Sequence, residues 1–243
     1  MASIAILGAT GTIGSTLARR LVGAGRSVLL LARNRDKLAS LSAELDQPSA
    51  VIDLKDSRAL EELLQQQAGS CGGFASIINC IGSIFLKPAH ATADEDFRNV
   101  LETNLFTAFA TVRAGAEILR RDGGAILLFA SAAAEIGIRN HEAIAAAKGG
   151  VSGLVRAAAA TYAQHNIRVN AISPGLVRTD MTRSMWENAV VAAASERMHA
   201  LGRLGEPGHV ASLAAWLLEP ENDWITGQVI GVDGGLSRVL AKR

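Results

Sequence analysis

The run Ile4-Ala5-Ile6-Leu7-Gly8-Ala9-Thr10-Gly11-Thr12-Ile13-Gly14 decides how this chain is read. Its first four residues are continuously apolar, the pattern of a short strand covered on both faces. Gly8, Gly11 and Gly14 follow at three-residue spacing and open a helix that the sequence carries through Ser15 to Val22. Without Cβ atoms the backbone can turn tightly and let a phosphate approach, while the free N–H groups of a helix N-terminus meet its charge. In this strand-turn-helix context Gly8, Thr10, Gly11, Thr12, Ile13 and Gly14 are candidates for holding a pyrophosphate. A plain strand-to-helix turn is the alternative.

Further short apolar runs occur at Val28 to Leu31, Ala50 to Ile52, Ser76 to Asn79, Ala125 to Phe129, Arg168 to Ile172 and Gln228 to Val232. Helical stretches of ten or more residues separate most of them, which excludes hairpins and favours right-handed crossovers. The expected fold is therefore α/β, a Rossmann-type doubly wound parallel sheet of about seven strands with helices on both faces. No repeat or linker divides the chain, so residues 1–243 are read as a single domain. The stretch at about 178–204 breaks the alternation and is expected to form a lid over the carboxyl ends of the strands, where open α/β sheets bind ligands.

After the second strand an acidic side chain would select NAD by bonding its ribose hydroxyls. Here Arg33, Asn34 and Arg35 stand in that neighbourhood, with no acid between Ser27 and Asn34. A guanidinium suits a 2′-phosphate, so the expected cofactor is NADP(H). Solvated surface arginines are the alternative.

The 243 residues carry a formal net charge of +1 with both signs interspersed, which argues against nucleic acid as a partner. Cys71 and Cys80 fit neither a zinc site nor a redox pair, and no metal is expected. The chain enters its first strand without a basic region or cleavage site, and no apolar run reaches the roughly 18 residues of a membrane span. A cytoplasmic location without membrane contact is expected.

Several motifs in one order make the chain resemble the short-chain dehydrogenase/reductase family along nearly its whole length. Asp53-Leu54 looks like the family's adenine contact, and Asn79-Cys80-Ile81-Gly82 like its Asn-Asn-Ala-Gly segment. Asn104 matches the proton-relay asparagine, Ser131 the carbonyl-binding serine, and Lys148 the lysine that binds ribose hydroxyls. Pro174, Gly175, Val177 and Thr179 resemble the nicotinamide-side loop; Ile225-Thr226-Gly227-Gln228 and Asp233-Gly234-Gly235 resemble the C-terminal signature. The resemblance implies an NADP(H)-dependent interconversion of a ketone and a secondary alcohol, and a homodimer or homotetramer.

The chain departs from that pattern four residues before Lys148, where the family's catalytic tyrosine is replaced by Ile144. Tyr162, the chain's single tyrosine, lies on the same expected helix about 21 Å from Lys148 along the axis. Losing a positioned acid costs roughly 10² to 10⁴ in rate, whereas holding the reactants together contributes about 7 to 11 kcal/mol. A weakened or relocated proton donor is thus expected. His141, three residues before Ile144, is the first candidate; Lys148 itself, or water held by Asn104 and Ser131, is the other. Two alternatives stay open: a silent NADP(H)-binding sensor or partner subunit, and a non-redox enzyme on the same fold. Met181, Met185, Trp186 and Met198 can line an apolar substrate pocket or pack a core. Alanine-rich helices around Phe97 to Arg120 and Ile144 to Ala163 offer flat faces to a second copy.

Overall fold

Seven parallel strands form one sheet, and a cleft opens at the carboxyl ends of several of them. The computed structural model describes residues 2–53 and 57–240; Leu54 lies outside them. In chain order the regular elements are β1 (Ser3–Leu7), α1 (Thr12–Gly23), β2 (Val28–Ala32), α2 (Arg35–Leu45), β3 (Ser49–Val51), α3 (Ser57–Ala68) and β4 (Phe74–Asn79). There follow α4 (Asp94–Leu101), α5 (Thr107–Leu119), β5 (Gly124–Phe129), α6 (Glu142–Tyr162), β6 (Ile167–Pro174), α7 (Arg183–Trp186), α8 (Ala189–Met198), α9 (Pro207–Leu218) and β7 (Val229–Val232).

The sheet order is β3-β2-β1-β4-β5-β6-β7, and every pair is parallel. The chain winds outward from β1 in both directions, so a crevice opens between the ends of β1 and β4, the place where such sheets bind ligands. Side-chain alternation divides the core. Ala5, Leu7, Leu29, Leu31 and Ile77 face α3, α5 and α6, whereas Ile4, Ile6, Leu30 and Ile78 face α1 and α9. Fully burying one such side chain stabilises by about 1.5–3 kcal/mol, more than the ~1 kcal/mol span of β propensity. Burial on both faces is what makes these runs strands.

All seven expected strands are present, with shifted ends. β7 starts at Val229 because the Gln228 N–H donates to Asn170 Oδ1, 3.0 Å away. The expected Phe97 to Arg120 helix is instead α4 and α5 joined by a π-helical turn, Glu102–Phe106, which carries Asn104 inward. Within 178–204 lie α7 and α8. Among the described residues, no helix is long and apolar enough to cross a membrane.

The β1-to-α1 turn is held by close approach. Gly8 has φ +73°, and a Cβ on Gly14 would lie 2.4 Å from the Gly8 carbonyl oxygen. The corresponding distance for Gly11 is an ordinary 3.4 Å. Gly14→Ala is therefore expected to cost about 1–3 kcal/mol of stability in urea unfolding, and Gly11→Ala distinctly less. Equal losses would contradict this account of the turn.

Candidate functional site

The cleft, about 620 Å³, gathers the turn after β1, the exits of β4, β5 and β6, the first half of α6 and the α7–α8 segment. At its β1 end Thr10, Gly11, Thr12, Ile13 and Gly14 form the wall. Gly11 is the N-cap of α1 and has no side chain to cap with, and the first turn carries no acid. Orphan N–H groups therefore face the space where an anion would sit. Gly8 lies beneath this wall and shapes it through its positive φ.

The α7–α8 segment is clasped to this turn. The Asp180 N–H donates to Thr12 Oγ1 (3.1 Å), and the Thr12 hydroxyl donates to Asp180 Oδ2 (3.3 Å). Arg183, bonded to the same carboxylate, holds Asp180 below the usual carboxylate range, with Thr12 adding to the effect.

Beyond β2 the arrangement differs from the sequence-based expectation. Arg33 and Arg35 are exposed and do not line the cleft; Asn34 and Lys37 do. The Asn34 side chain also caps α2 by accepting the Lys37 N–H at 2.9 Å. Lys37 carries no signal of its own in the sequence, yet a helix starting at Arg35 brings its side chain to the cleft one turn from the β2 exit. Asp53 is exposed past the end of β3 and is not part of the wall.

At the β4 exit Cys80, Ile81 and Gly82 line the cleft. Asn79 does not. It is buried, donating to Thr111 Oγ1 (3.0 Å) and Thr107 Oγ1 (3.4 Å) and accepting the Ile81 N–H (2.8 Å), so it braces β4 against α5. Burial pushes the Cys80 thiol up to about 12, and both cysteines are free thiols. No metal-binding cluster of His, Cys, Asp and Glu occurs among the described residues.

Asn104, Ser131, His141 and Lys148 all line the cleft. Asn104 accepts the Ser83 N–H (3.1 Å) and donates to Ser83 Oγ (2.9 Å) and the Val100 carbonyl (3.0 Å). Ser131 Oγ accepts the Ala133 N–H at 3.2 Å, which leaves its hydroxyl proton to donate elsewhere. Lys148 is buried and donates from Nζ to the Phe129 carbonyl at 2.8 Å, tying α6 to the end of β5. Burial lowers its pKa to about 8.

His141 is the N-cap residue of α6, so His141, Ile144 and Lys148 follow one another up one helical face toward the cleft. Its Nδ1 lies 2.8 Å from the Arg139 carbonyl, and Nε2 has no hydrogen-bond partner among the described residues. Ile144 is buried beside Ala143, Ala147 and Val100 and contributes only hydrocarbon to the wall. Tyr162 ends α6 against the core.

The remaining wall comprises Pro174, Gly175, Val177 and Thr179 with apolar neighbours that include Ile84, Ile138, Met181, Met185 and Met198. Trp186 is not among them, because its Nε1–H is spent on the Thr179 carbonyl (2.9 Å). Ile84 and Ile138 carry no periodic signal in the sequence; they meet only through the fold.

Residues 8–237 match the family model described as enoyl-(acyl carrier protein) reductase. The chain is 31% identical over 242 residues to carbonyl reductase family member 4 of Danio rerio, covering 97% of this chain and 98% of that protein. Among solved structures, a short-chain type dehydrogenase/reductase from Mycobacterium ulcerans superposes with a TM-score of 0.94 at 28% identity, covering 99% of this chain and 91% of that one. An actinorhodin polyketide ketoreductase variant with NADPH gives 0.88 at 27% identity, covering 98% of each chain.

The burial of Lys148 makes a pH prediction. Below about 8 both folded and unfolded chains carry the proton, and the full cost of burying the ammonium is present. Between about 8 and the ordinary lysine value of 10.5 the folded chain has released it while the unfolded chain has not, so this contribution to stability rises with pH. Urea unfolding at pH 7.5 and pH 10 is expected to move the difference between wild type and Lys148→Met in favour of the wild type at the higher pH. A difference that stays constant would refute the assignment.

Proposed function

The chain belongs to the short-chain dehydrogenase/reductase family, and on that premise we propose that it is an NADP(H)-dependent oxidoreductase interconverting an apolar ketone and its secondary alcohol. The observation that carries the reading is the face of α6. It presents His141, Ile144 and Lys148 to a cleft whose substrate end is lined by isoleucine and methionine.

The residues present suit the dinucleotide. The uncapped N–H groups of Thr12, Ile13 and Gly14 in the first turn of α1 would take the pyrophosphate, as no side chain there competes for them. A 2′-phosphate would meet Lys37 and Asn34 at the cleft wall, with Arg33 and Arg35 exposed on the same turn outside it. Cys80, Ile81 and Gly82 would flank the adenosine side, and Pro174, Gly175, Val177 and Thr179 the nicotinamide. When bound, the nicotinamide supplies a hydride to the carbonyl carbon or accepts one from the carbinol.

The Ser131 hydroxyl would hold the carbonyl oxygen, and Lys148 the ribose hydroxyls. The family's tyrosine position is Ile144, so reduction needs its proton from elsewhere. His141 would supply it in its imidazolium form, in which Nδ1–H donates to the Arg139 carbonyl and Nε2–H is the proton given to the oxygen, leaving the neutral ring. Lys148, with its pKa near 8, is the remaining source within the cleft. The α7–α8 segment would act as a lid over the bound dinucleotide, held to the β1–α1 turn by the Thr12–Asp180 bonds. A second reading, a silent NADP(H)-binding sensor or subunit, is favoured by the burial of Ile144 in the family's acid position.

Outside the cleft, Leu101, Leu105, Phe106, Phe109 and Leu154, together with Glu102, line a largely apolar groove on α4 through α6. Phe106 and Phe109 are 40% and 49% exposed. A second copy of this chain is the proposed cover, giving a homodimer or homotetramer.

NADPH oxidation over a panel of uncharged ketones tests the first reading. Wild-type turnover is expected, with a drop of about 10² or more in kcat for His141→Ala and a gain for Ile144→Tyr. Unchanged turnover in His141→Ala would remove the histidine. Binding without wild-type turnover, with turnover in Ile144→Tyr, would establish the silent reading instead. Phe109→Glu is expected to lower the mass observed by light scattering to that of a monomer; an unaltered oligomer would move the interface elsewhere.

A further inference from the structure

We infer that His199 is a positioning residue that sets the course of the cofactor-side loop Pro174–Val177. The inference rests on the NADP(H) reading above. His199 is 3% exposed and is the C-cap residue of α8. The Leu176 N–H donates to its Nε2 at 3.2 Å, so that nitrogen is the unprotonated one. Nδ1 therefore carries the hydrogen and donates to the Ser195 carbonyl at 2.6 Å. Both ring nitrogens are used, which leaves the imidazole nothing to offer a substrate.

What it controls is backbone that lines the cleft. Pro174, Gly175, Leu176 and Val177 are all part of the wall. Their peptide groups are anchored from behind: the Gly175 N–H donates to the Val232 carbonyl (3.2 Å), and the Leu176 carbonyl accepts the Gly205 N–H (2.9 Å). The Leu176 N–H is the member of this set whose acceptor is a side chain. The ring also presses on the loop. A Cβ on Gly175 would lie 2.6 Å from His199 Nε2 and 3.0 Å from Asp233 Cα, so glycine is required where the imidazole crosses between the exits of β6 and β7. Gly234 packs beside it, where a Cβ would make ordinary contact with His199 Cβ at 3.5 Å.

An N–H partly shielded from water loses stability when its acceptor is removed, so a chain lacking this one would turn the Leu176 peptide to find a partner. The loop would then present a different face to the nicotinamide. Because His199 lies on the α7–α8 segment, the placement of that segment and the shape of the cofactor wall are set together.

Three substitutions in the full chain separate positioning from bulk packing. His199→Gln can place an oxygen near the Nε2 position and keep the Leu176 bond. His199→Asn can keep only the donor to Ser195, and His199→Phe keeps neither. In His199→Asn and His199→Phe the dissociation constant for NADPH, from nucleotide fluorescence, is expected to rise about tenfold, with KM for NADPH rising and kcat at saturation changing less. Faster exchange of the Leu176 amide hydrogen should accompany it. His199→Gln should restore binding to within about threefold and restore the amide protection, although its melting temperature falls with that of His199→Asn. Wild-type binding of NADPH with unchanged constants in His199→Asn and His199→Phe would overturn this inference alone. Failure of the wild type to bind NADPH would overturn the cofactor reading and this inference with it.

Discussion

The space that a Cβ at position 14 would need is already taken by the carbonyl oxygen of Gly8, 2.4 Å away. This approach lets α1 begin against the end of β1, with its N-terminus at the mouth of the crevice. The order β3-β2-β1-β4 places that crevice where the chain winds away on both sides, so the first helix points its orphan N–H groups into an opening rather than at a neighbouring strand. Every other part of the cleft is placed relative to this turn. The Thr12–Asp180 clasp joins it to the α7–α8 segment, and the β4 exit packs against Gly8 through Cys80 and Ile81.

The second organising contact is the Lys148 hydrogen bond to the Phe129 carbonyl. A lysine in an apolar surround resists protonation, and its ammonium is tolerated because this bond and the cleft give it polar neighbours. The bond sets α6 against β5, which brings His141 and Ile144 to the same wall as Ser131. Ile144 adds only hydrocarbon to that wall. Beside it the same helix face presents a histidine one turn below and a lysine one turn above.

The strands and the glycine turn were readable because their signals are local: continuous apolar runs, three-residue glycine spacing, and helical lengths between strands. Ser131, Asn104 and Lys148 were recoverable because family spacing ties them together, and all three line one cleft. Other residues were displaced by the fold. Asn79 lies in a polar cluster with Thr107 and Thr111, partners 28 and 32 positions away that no local pattern links to it. Arg33 and Arg35 leave the wall to Asn34 and Lys37, because the start of α2 determines which side chain of that turn points inward. Trp186 reads as a pocket residue beside three methionines, yet its indole N–H binds the Thr179 carbonyl.

The sequence alone determined the class of fold, the number and parallel sense of the strands, the glycine turn after the first strand and the isoleucine four residues before Lys148. Each of these follows from residue type and spacing along the chain. Tertiary structure decided which cations reach the cleft, which apolar side chains line its substrate end, and which buried imidazole holds the β6 loop. The π-helical turn that carries Asn104 inward and the His199 bond to Leu176 belong to that second group. Their physical reason is common to both: a hydrogen bond or contact between distant positions depends on where packed elements end in space, and that placement is set by the whole core at once.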